Sequence, residues 1–292
     1  MISSLQNELQ IFLSDKFGIS ISSFEFSRIG GGSINQTYQV LINKKEKLFC
    51  KINSASRFTQ MFEREKSGLE LLGSQKIIRV PNVIGTLKID DYQILLLEWI
   101  EQGNKSAHFW KIFGEQLAAL HLIPQTYSGL KENNFMGALA QSNTPNSNWV
   151  DFFIYERLQP QIKLATDKKL LTRQYQKHFD NLYKALPDIF PSQSLSLLHG
   201  DLWSGNFLCD HSGMPVLIDP AVYNGHQSMD LGMTTLFGGF DPLFYECYNY
   251  QFPFPRNHQH QWEICNLYPL LIHLNLFGKG YLQAIISTIQ YY

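Results

Sequence analysis

The chain carries no excess charge of either sign. Its 24 basic residues stand against 25 acidic ones, a net charge of −1. Proteins that grip nucleic acid through phosphates need a basic surplus, so this balance argues against a nucleic-acid partner. No block of like charge forms an interaction tail. Cysteine is scarce: Cys50, Cys209, Cys247 and Cys265 lie far apart, and none forms a CxxC pair. That spacing excludes the usual structural zinc pattern and argues against a disulfide framework, leaving buried reduced thiols as the expectation. Long apolar runs are missing as well. None approaches the roughly 18 residues that span a bilayer. The first stretch, MISSLQNELQIFLSDKFG, has neither the basic nor the apolar region of a secretory leader. A cytoplasmic protein with no membrane partner is expected.

Aromatic residues are plentiful. Phe (21) and Tyr (14) predict a core built largely from rings. At 292 residues the length suggests two domains. The first stretch has the periodicity of an amphipathic helix. Strand patterns then cover Phe24 to Ile29 and Gln36 to Ile42, joined by a glycine-rich turn, with KLFCKI as a third strand ending near Lys51. A helix is expected from Ser56 to Leu72, with Phe62, Glu65, Leu69 and Leu72 on one face. Two further strands, PNVIGTLKI and DYQILLLEWI, make five. Near IEQGNK, residues 100 to 105, strand patterns give way to helices. The division expected is 1–102 and 103–292. In the second part, the Asn-rich LKENNFMGALAQSNTPNSN reads as a loop, Trp149 to Gln159 and Lys168 to Leu186 as helices, and NFLC and PVLID as short strands.

The chemistry concentrates in HGDLWSGN, residues 199 to 206. Asp201 and Asn206 are spaced D-x-x-x-x-N, and Asp219 follows at the end of PVLID. Protein kinases place a proton-accepting Asp, a metal-binding Asn and a metal-binding Asp in this order. Phosphoryl transfer gathers negative charge, so Mg²⁺ holds the phosphates, and a hard cation takes oxygen ligands. The attacking hydroxyl needs a carboxylate to receive its proton. The first half supplies matching parts. Backbone N–H groups of the GGGSIN turn, at Gly31, Gly32 and Ser33, would cover phosphates of ATP. Lys51 would pair with phosphates, and Glu65 would hold Lys51. The backbone of Glu98, Trp99 and Ile100 would meet the adenine edge. Each part alone has an ordinary explanation, such as a tight turn or a solvated edge lysine. Their joint order carries the reading.

The glycine in HGD departs from the HRD of protein kinases and resembles the aminoglycoside and choline kinase branch. GGGSIN, FCKIN, QMFEREKSGLELL, LLLEWI, NFMGALAQSN, HGDLWSGN, LIDPAVYNGHQSMDLGMTTLFGGF and HLNLFGKGY together resemble the fructosamine kinase (ketosamine-3-kinase) family over about residues 25 to 285. HGDLWSGN, IDPAVY and DLGMTTLFGGF are the specific strings. The resemblance implies an α+β, bilobal, protein-kinase-like fold. The nucleotide-binding lobe would be a five-stranded antiparallel sheet with one main helix, and the second lobe mostly helical. It implies ATP- and Mg²⁺-dependent phosphorylation of the 3-hydroxyl of a ribulosamine or fructosamine, on a small amine or a glycated lysine. Asp201 is then the base, Asn206 and Asp219 the metal ligands, and Lys51 with Glu65 the phosphate anchor. Asp230 is implied to brace the catalytic loop. Trp203 is implied to pack against the sugar or to fix the loop, and His273 and Asn275 to face the substrate or to be core polar groups. Ala140 stands where relatives are expected to have proline.

Two other readings compete. A kinase of this fold acting on an aminoglycoside would want an acceptor site lined with carboxylates. The C-terminal part offers only Asp241, Glu246 and Glu263 among many rings. A nucleotide-binding pseudokinase would lack the lysine, the base or the metal aspartate, and all three are present.

Overall fold

The computed structural model describes residues 2–30, 34–191 and 195–292. The expected phosphate-covering residues Gly31, Gly32 and Ser33 lie outside the described residues. The chain divides into two compact units. One comprises residues 1–74 and 80–101, the other 75–79 and 102–292.

The first unit runs α1 (Ile2–Phe17), β1 (Phe24–Ile29), β2 (Gln36–Ile42), β3 (Glu46–Ser54), α2 (Met61–Ser74), β4 (Val83–Ile89) and β5 (Tyr92–Glu98). Its strands form one antiparallel sheet in the order β1-β2-β3-β5-β4. β3 lies at the centre. The period-2 alternation sends Leu48, Cys50 and Ile52 into a core with Leu5, Leu9 and Leu13 of α1. Phe49, Lys51 and Asn53 fall on the opposite face. Burial drives the Cys50 thiol far above its ordinary pKa, so it packs as an apolar group.

The helix expected from Ser56 begins instead at Met61. Asp91 explains the delay. Its carboxylate accepts from the Ser54 hydroxyl and the Ser56 backbone N–H, offering the backbone a turn in place of a helix start.

The second unit continues with α3 (Phe109–His121), β6 (Asn134–Met136), β7 (Leu139–Gln141), α4 (Trp149–Phe152), α5 (Gln159–Asp167) and α6 (Gln176–Ile189). Four short strands follow: β8 (Ser196–Leu198), β9 (Phe207–Cys209), β10 (Pro215–Leu217) and β11 (Tyr223–Gly225). The chain ends in α7 (Ser228–Leu236), α8 (Pro242–Gln251), α9 (His258–Cys265), α10 (Leu267–Phe277) and α11 (Leu282–Ile289). Its core is rich in rings, Trp149, Phe152, Phe153, Phe179, Phe190, Tyr223 and Tyr268 among them.

The Asn-rich stretch expected to be a loop contains the β6–β7 hairpin. Its polar side chains turn inward rather than outward. Asn134 donates to the Val222 carbonyl, and Gln141 donates to the Ala221 carbonyl. A π-helical turn at Phe153–Leu158 joins α4 to α5 and carries Arg157. This guanidinium is fully buried, 4.4 Å from the Phe152 ring centre and 4.0 Å from that of Tyr223. It donates to the Ser142 carbonyl and to Asn143 Oδ1. Cation–π contact and hydrogen bonds to neutral oxygens offset its lost hydration.

Gly114 sets the approach of α3 to α8. A Cβ there would stand 2.2 Å from the Phe244 carbonyl oxygen, a backbone atom that cannot swing aside. Intrinsic helix propensity favours Gly114→Ala by about 1 kcal/mol. The contact predicts the opposite sign: destabilisation by at least ~2 kcal/mol in urea unfolding. An alanine variant as stable as wild type would contradict this packing.

Candidate active site

The strands of the second unit nest. β8 pairs with β11 and, inside that pair, β9 pairs with β10. Residues 199–206 leave β8 and enter β9, while residues 218–222 leave β10 and enter β11. The two connecting loops are therefore brought alongside each other. Backbone bonds sew them together: the Ala221 N–H donates to the His199 carbonyl at 2.9 Å, and the Ile218 N–H to the Asn206 carbonyl at 3.1 Å. Gly200 sits at φ +83°, and a Cβ there would meet the Ala221 carbonyl oxygen at 2.1 Å. Only glycine fits, which is a physical reason for the glycine of HGD.

Within this loop Asn206 Nδ2 donates to the Asp201 carbonyl oxygen at 2.8 Å and to Asp201 Oδ2 at 3.0 Å. The amide is thereby oriented, and Oδ1 is its remaining acceptor. Asp219 has an exposed side chain at φ +55°, a left-handed conformation that aspartate tolerates better than most residues. Burial, then the Asp219 charge, raise Asp201 to about 7.

Asp230, in the first turn of α7, holds the loop from beneath. Its Oδ2 accepts the His199 N–H at 2.7 Å and its Oδ1 the Gly200 N–H at 2.8 Å. Oδ2 also meets His121 Nε2 at 3.2 Å, and His121 Nδ1 meets the Tyr248 hydroxyl at 2.9 Å. All three side chains are buried. Burial opposes the Asp230 charge, but these donors outweigh it and keep its pKa below the ordinary value. His199 donates Nε2–H to the Ile218 carbonyl, and its Nδ1 accepts the Asp201 N–H at 3.3 Å. That pattern needs a neutral ring.

In the first unit Lys51 Nζ and Glu65 Oε1 form a 2.6 Å ion pair, 3% and 11% exposed. β3 and α2 thus present the expected pair. The Glu98 carboxylate turns to Asn82, accepting from its backbone N–H and side-chain amide. Trp99 and Ile100 continue beyond the end of β5.

Among the expected substrate residues, Trp203 is 36% exposed and Phe237 packs edge-on to it. His273 is half-buried, its ring tilted against that of Phe237. Asn275 belongs elsewhere: buried, its amide donates to the Gln161 carbonyl and to Oε1 of Gln161. It is a core polar group. Sequence reasoning missed His121 and Tyr248. The available signal was a histidine on the apolar face of α3 beside Leu117, Ala118 and Leu120, a position where a buried ring must find polar partners.

The donor set suits a hard divalent cation. Asp219 offers a carboxylate and Asn206 an amide oxygen, and among the described residues no cluster of three His, Cys, Asp or Glu could enclose a metal. A magnesium ion held by one or two protein oxygens and completed by phosphates and water is the matching chemistry.

Protonation has a definite sign here. Burial lowers His199, and burial with the His121 charge lowers His226 to about 3. Such groups give stability that is present above pH 6.5 and lost as pH falls toward the folded value. Asp201, raised to about 7, runs the other way and opposes one histidine. Denaturant unfolding of the metal-free protein is expected to show stability falling below pH 6.5, by up to about 1.4 kcal/mol per pH unit net. Asp201→Asn removes the opposing contribution and steepens the slope. A profile flat from pH 6.5 to 4.5 in both proteins would contradict these assignments.

Comparison with known proteins gives the family. The sequence model described as fructosamine kinase matches residues 5–292. A Lactiplantibacillus plantarum protein named "Probable ketoamine kinase" is 37% identical over 268 residues, covering 90% of this chain and 92% of its own. The chloroplastic protein-ribulosamine 3-kinase of Arabidopsis thaliana is 35% identical over 270 residues, covering 90% and 81%. A crystal structure from Thermobifida fusca, with a provisional fructosamine-3-kinase name, superposes with a TM-score of 0.86 at 29% identity over 97% of this chain and 98% of its own. With its sheet unit, its helical unit and this loop pair, the chain belongs to the fructosamine kinase family.

Proposed function

We propose that the protein transfers the γ-phosphoryl group of ATP to the 3-hydroxyl of a sugar ketoamine, a ribulosamine or fructosamine borne by a small amine or by lysine. The observation that carries the reading is the Asp201–Asn206 contact beside Asp219, in a chain of this family. Asp201 accepts the hydroxyl proton and orients the attacking oxygen. Its raised pKa suits a base working near neutrality. Asn206 and Asp219 would hold Mg²⁺, whose charge neutralises the phosphates and the charge that develops during transfer. Lys51, fixed by Glu65, pairs with phosphate oxygens. The backbone of residues 98–100 takes the adenine edge, and Gly31, Gly32 and Ser33 cover phosphates. Trp203 and His273 lie toward the acceptor; Asn275, engaged with Gln161, is left out. Residues 1–102 then serve as the nucleotide-binding part and 103–292 as the acceptor part, in a cytoplasmic enzyme. Phosphorylation at the 3-position destabilises the adduct and frees the amine.

The test is a panel of acceptors with labelled ATP and Mg²⁺. Ribuloselysine and fructoselysine are expected to take up label, and an aminoglycoside is not. Asp201→Asn is expected to lower kcat by roughly 10²–10⁴-fold, the range of lost proton transfer, with unchanged circular dichroism. Label passing only to the aminoglycoside, or near-wild-type turnover in the variant, would overturn the reading.

A further inference from the structure

A strip of rings leads away from the catalytic loop in the second unit. It starts at Trp203, two positions after Asp201. Phe237, at the end of α7, lies 5.7 Å from Trp203 between ring centres. His273 of α10 is 5.1 Å from Phe237. Phe277, one turn further on, is 5.5 Å from His273, and Tyr281 in the following turn is 5.0 Å from it. Three of these rings are open to solvent: Trp203 at 36%, Phe237 at 40% and Phe277 at 53%. A contiguous run of exposed rings on a soluble unit marks a place where something binds.

The chemistry of a ketoamine says what that is. The hydroxyl presented to Asp201 is on the third carbon, and the amine nitrogen is on the first. The N-substituent therefore leaves the sugar close to the reacting oxygen and must run along whatever surface adjoins the loop. The nitrogen is a secondary ammonium at neutral pH. Ring faces attract a cation, and they cover an alkyl stem or an aromatic group attached to it. His273 supports this role. Its Nδ1 is within 2.7 Å of the Pro269 carbonyl, which fixes the proton on Nδ1 and leaves Nε2 as an acceptor. Burial also keeps the ring neutral, so it does not repel an ammonium.

We propose that Trp203, Phe237, His273, Phe277 and Tyr281 form the subsite for the N-substituent of the ketoamine. The strip selects adducts of amines with apolar or aromatic groups over adducts of small polar amines. This rests on the ketoamine kinase reading above, and adds to it a residue-level account of which amines are served.

The experiment compares two ribulose adducts, one of benzylamine and one of methylamine, under saturating Mg-ATP. In wild type kcat/KM should favour the benzyl adduct. In Phe277→Ala and Phe237→Ala that preference is expected to fall about tenfold, through KM for the benzyl adduct, with KM for ATP unchanged. Phe277→Leu, which keeps an apolar side chain and guards against a folding defect, should lie between. An unchanged preference, or an equal loss for both adducts, overturns the subsite while leaving the kinase reading intact. Wild-type protein that phosphorylates neither adduct overturns both.

Discussion

One buried carboxylate organises the second unit. Asp230 accepts two successive backbone N–H groups, those of His199 and Gly200, and meets the ring of His121. A buried charge survives only when its oxygens are satisfied, and a missing partner costs several kcal/mol. The loop conformation and the ionised carboxylate are therefore one condition. With the loop in place Asp230 is stable as an anion. With Asp230 ionised the loop has one place to be. His121 ties this point to Tyr248, so α3, α7 and α8 meet at a single carboxylate. The tight crossing allowed by Gly114 brings α3 and α8 close enough for that.

Above the carboxylate, nested strand pairs fix the loops of Asp201 and Asp219 side by side, and the His199–Ala221 backbone bond locks them. A second polar layer adjoins the Asp219 loop. Asn134 and Gln141 hold the carbonyls of Val222 and Ala221, while Asn143 is held by buried Arg157. Every member is a neutral amide or a ring-caged guanidinium. The charges that act on Asp201 are then the carboxylates of Asp219 and Asp230, not this layer.

The sequence made the strands legible because β1 to β5 alternate cleanly or, like β5, run apolar between turn residues. HGDLWSGN and Asp219 stood out through their joint order with Lys51 and Glu65, since each part alone has an ordinary explanation. Three features were hidden for physical reasons. The β6–β7 hairpin was read as a loop because its asparagines and glutamine look like turn formers, and only their carbonyl partners eighty or more residues away reveal an inward role. The start of α2 was displaced by Asp91, a tertiary contact that no local window sees. His121 and Tyr248 meet across 127 positions, so each alone reads as an ordinary helix residue. Asn275 illustrates the reverse case: the resemblance offered it as facing the substrate or as a core polar group, and it is committed to Gln161 in the core.

Hydrogen exchange over the catalytic loop tests the central claim most directly. Peptides spanning residues 196–206 should exchange slowly in the wild-type protein, because the amides of His199 and Gly200 are buried and bonded to Asp230. In Asp230→Asn, whose amide turns an N–H₂ toward one of those donors, the same peptides should exchange at least tenfold faster, while peptides from α10 keep their protection. Unchanged protection of residues 196–206 in the variant would show that the loop is held by its strands alone, and that Asp230 does not organise it.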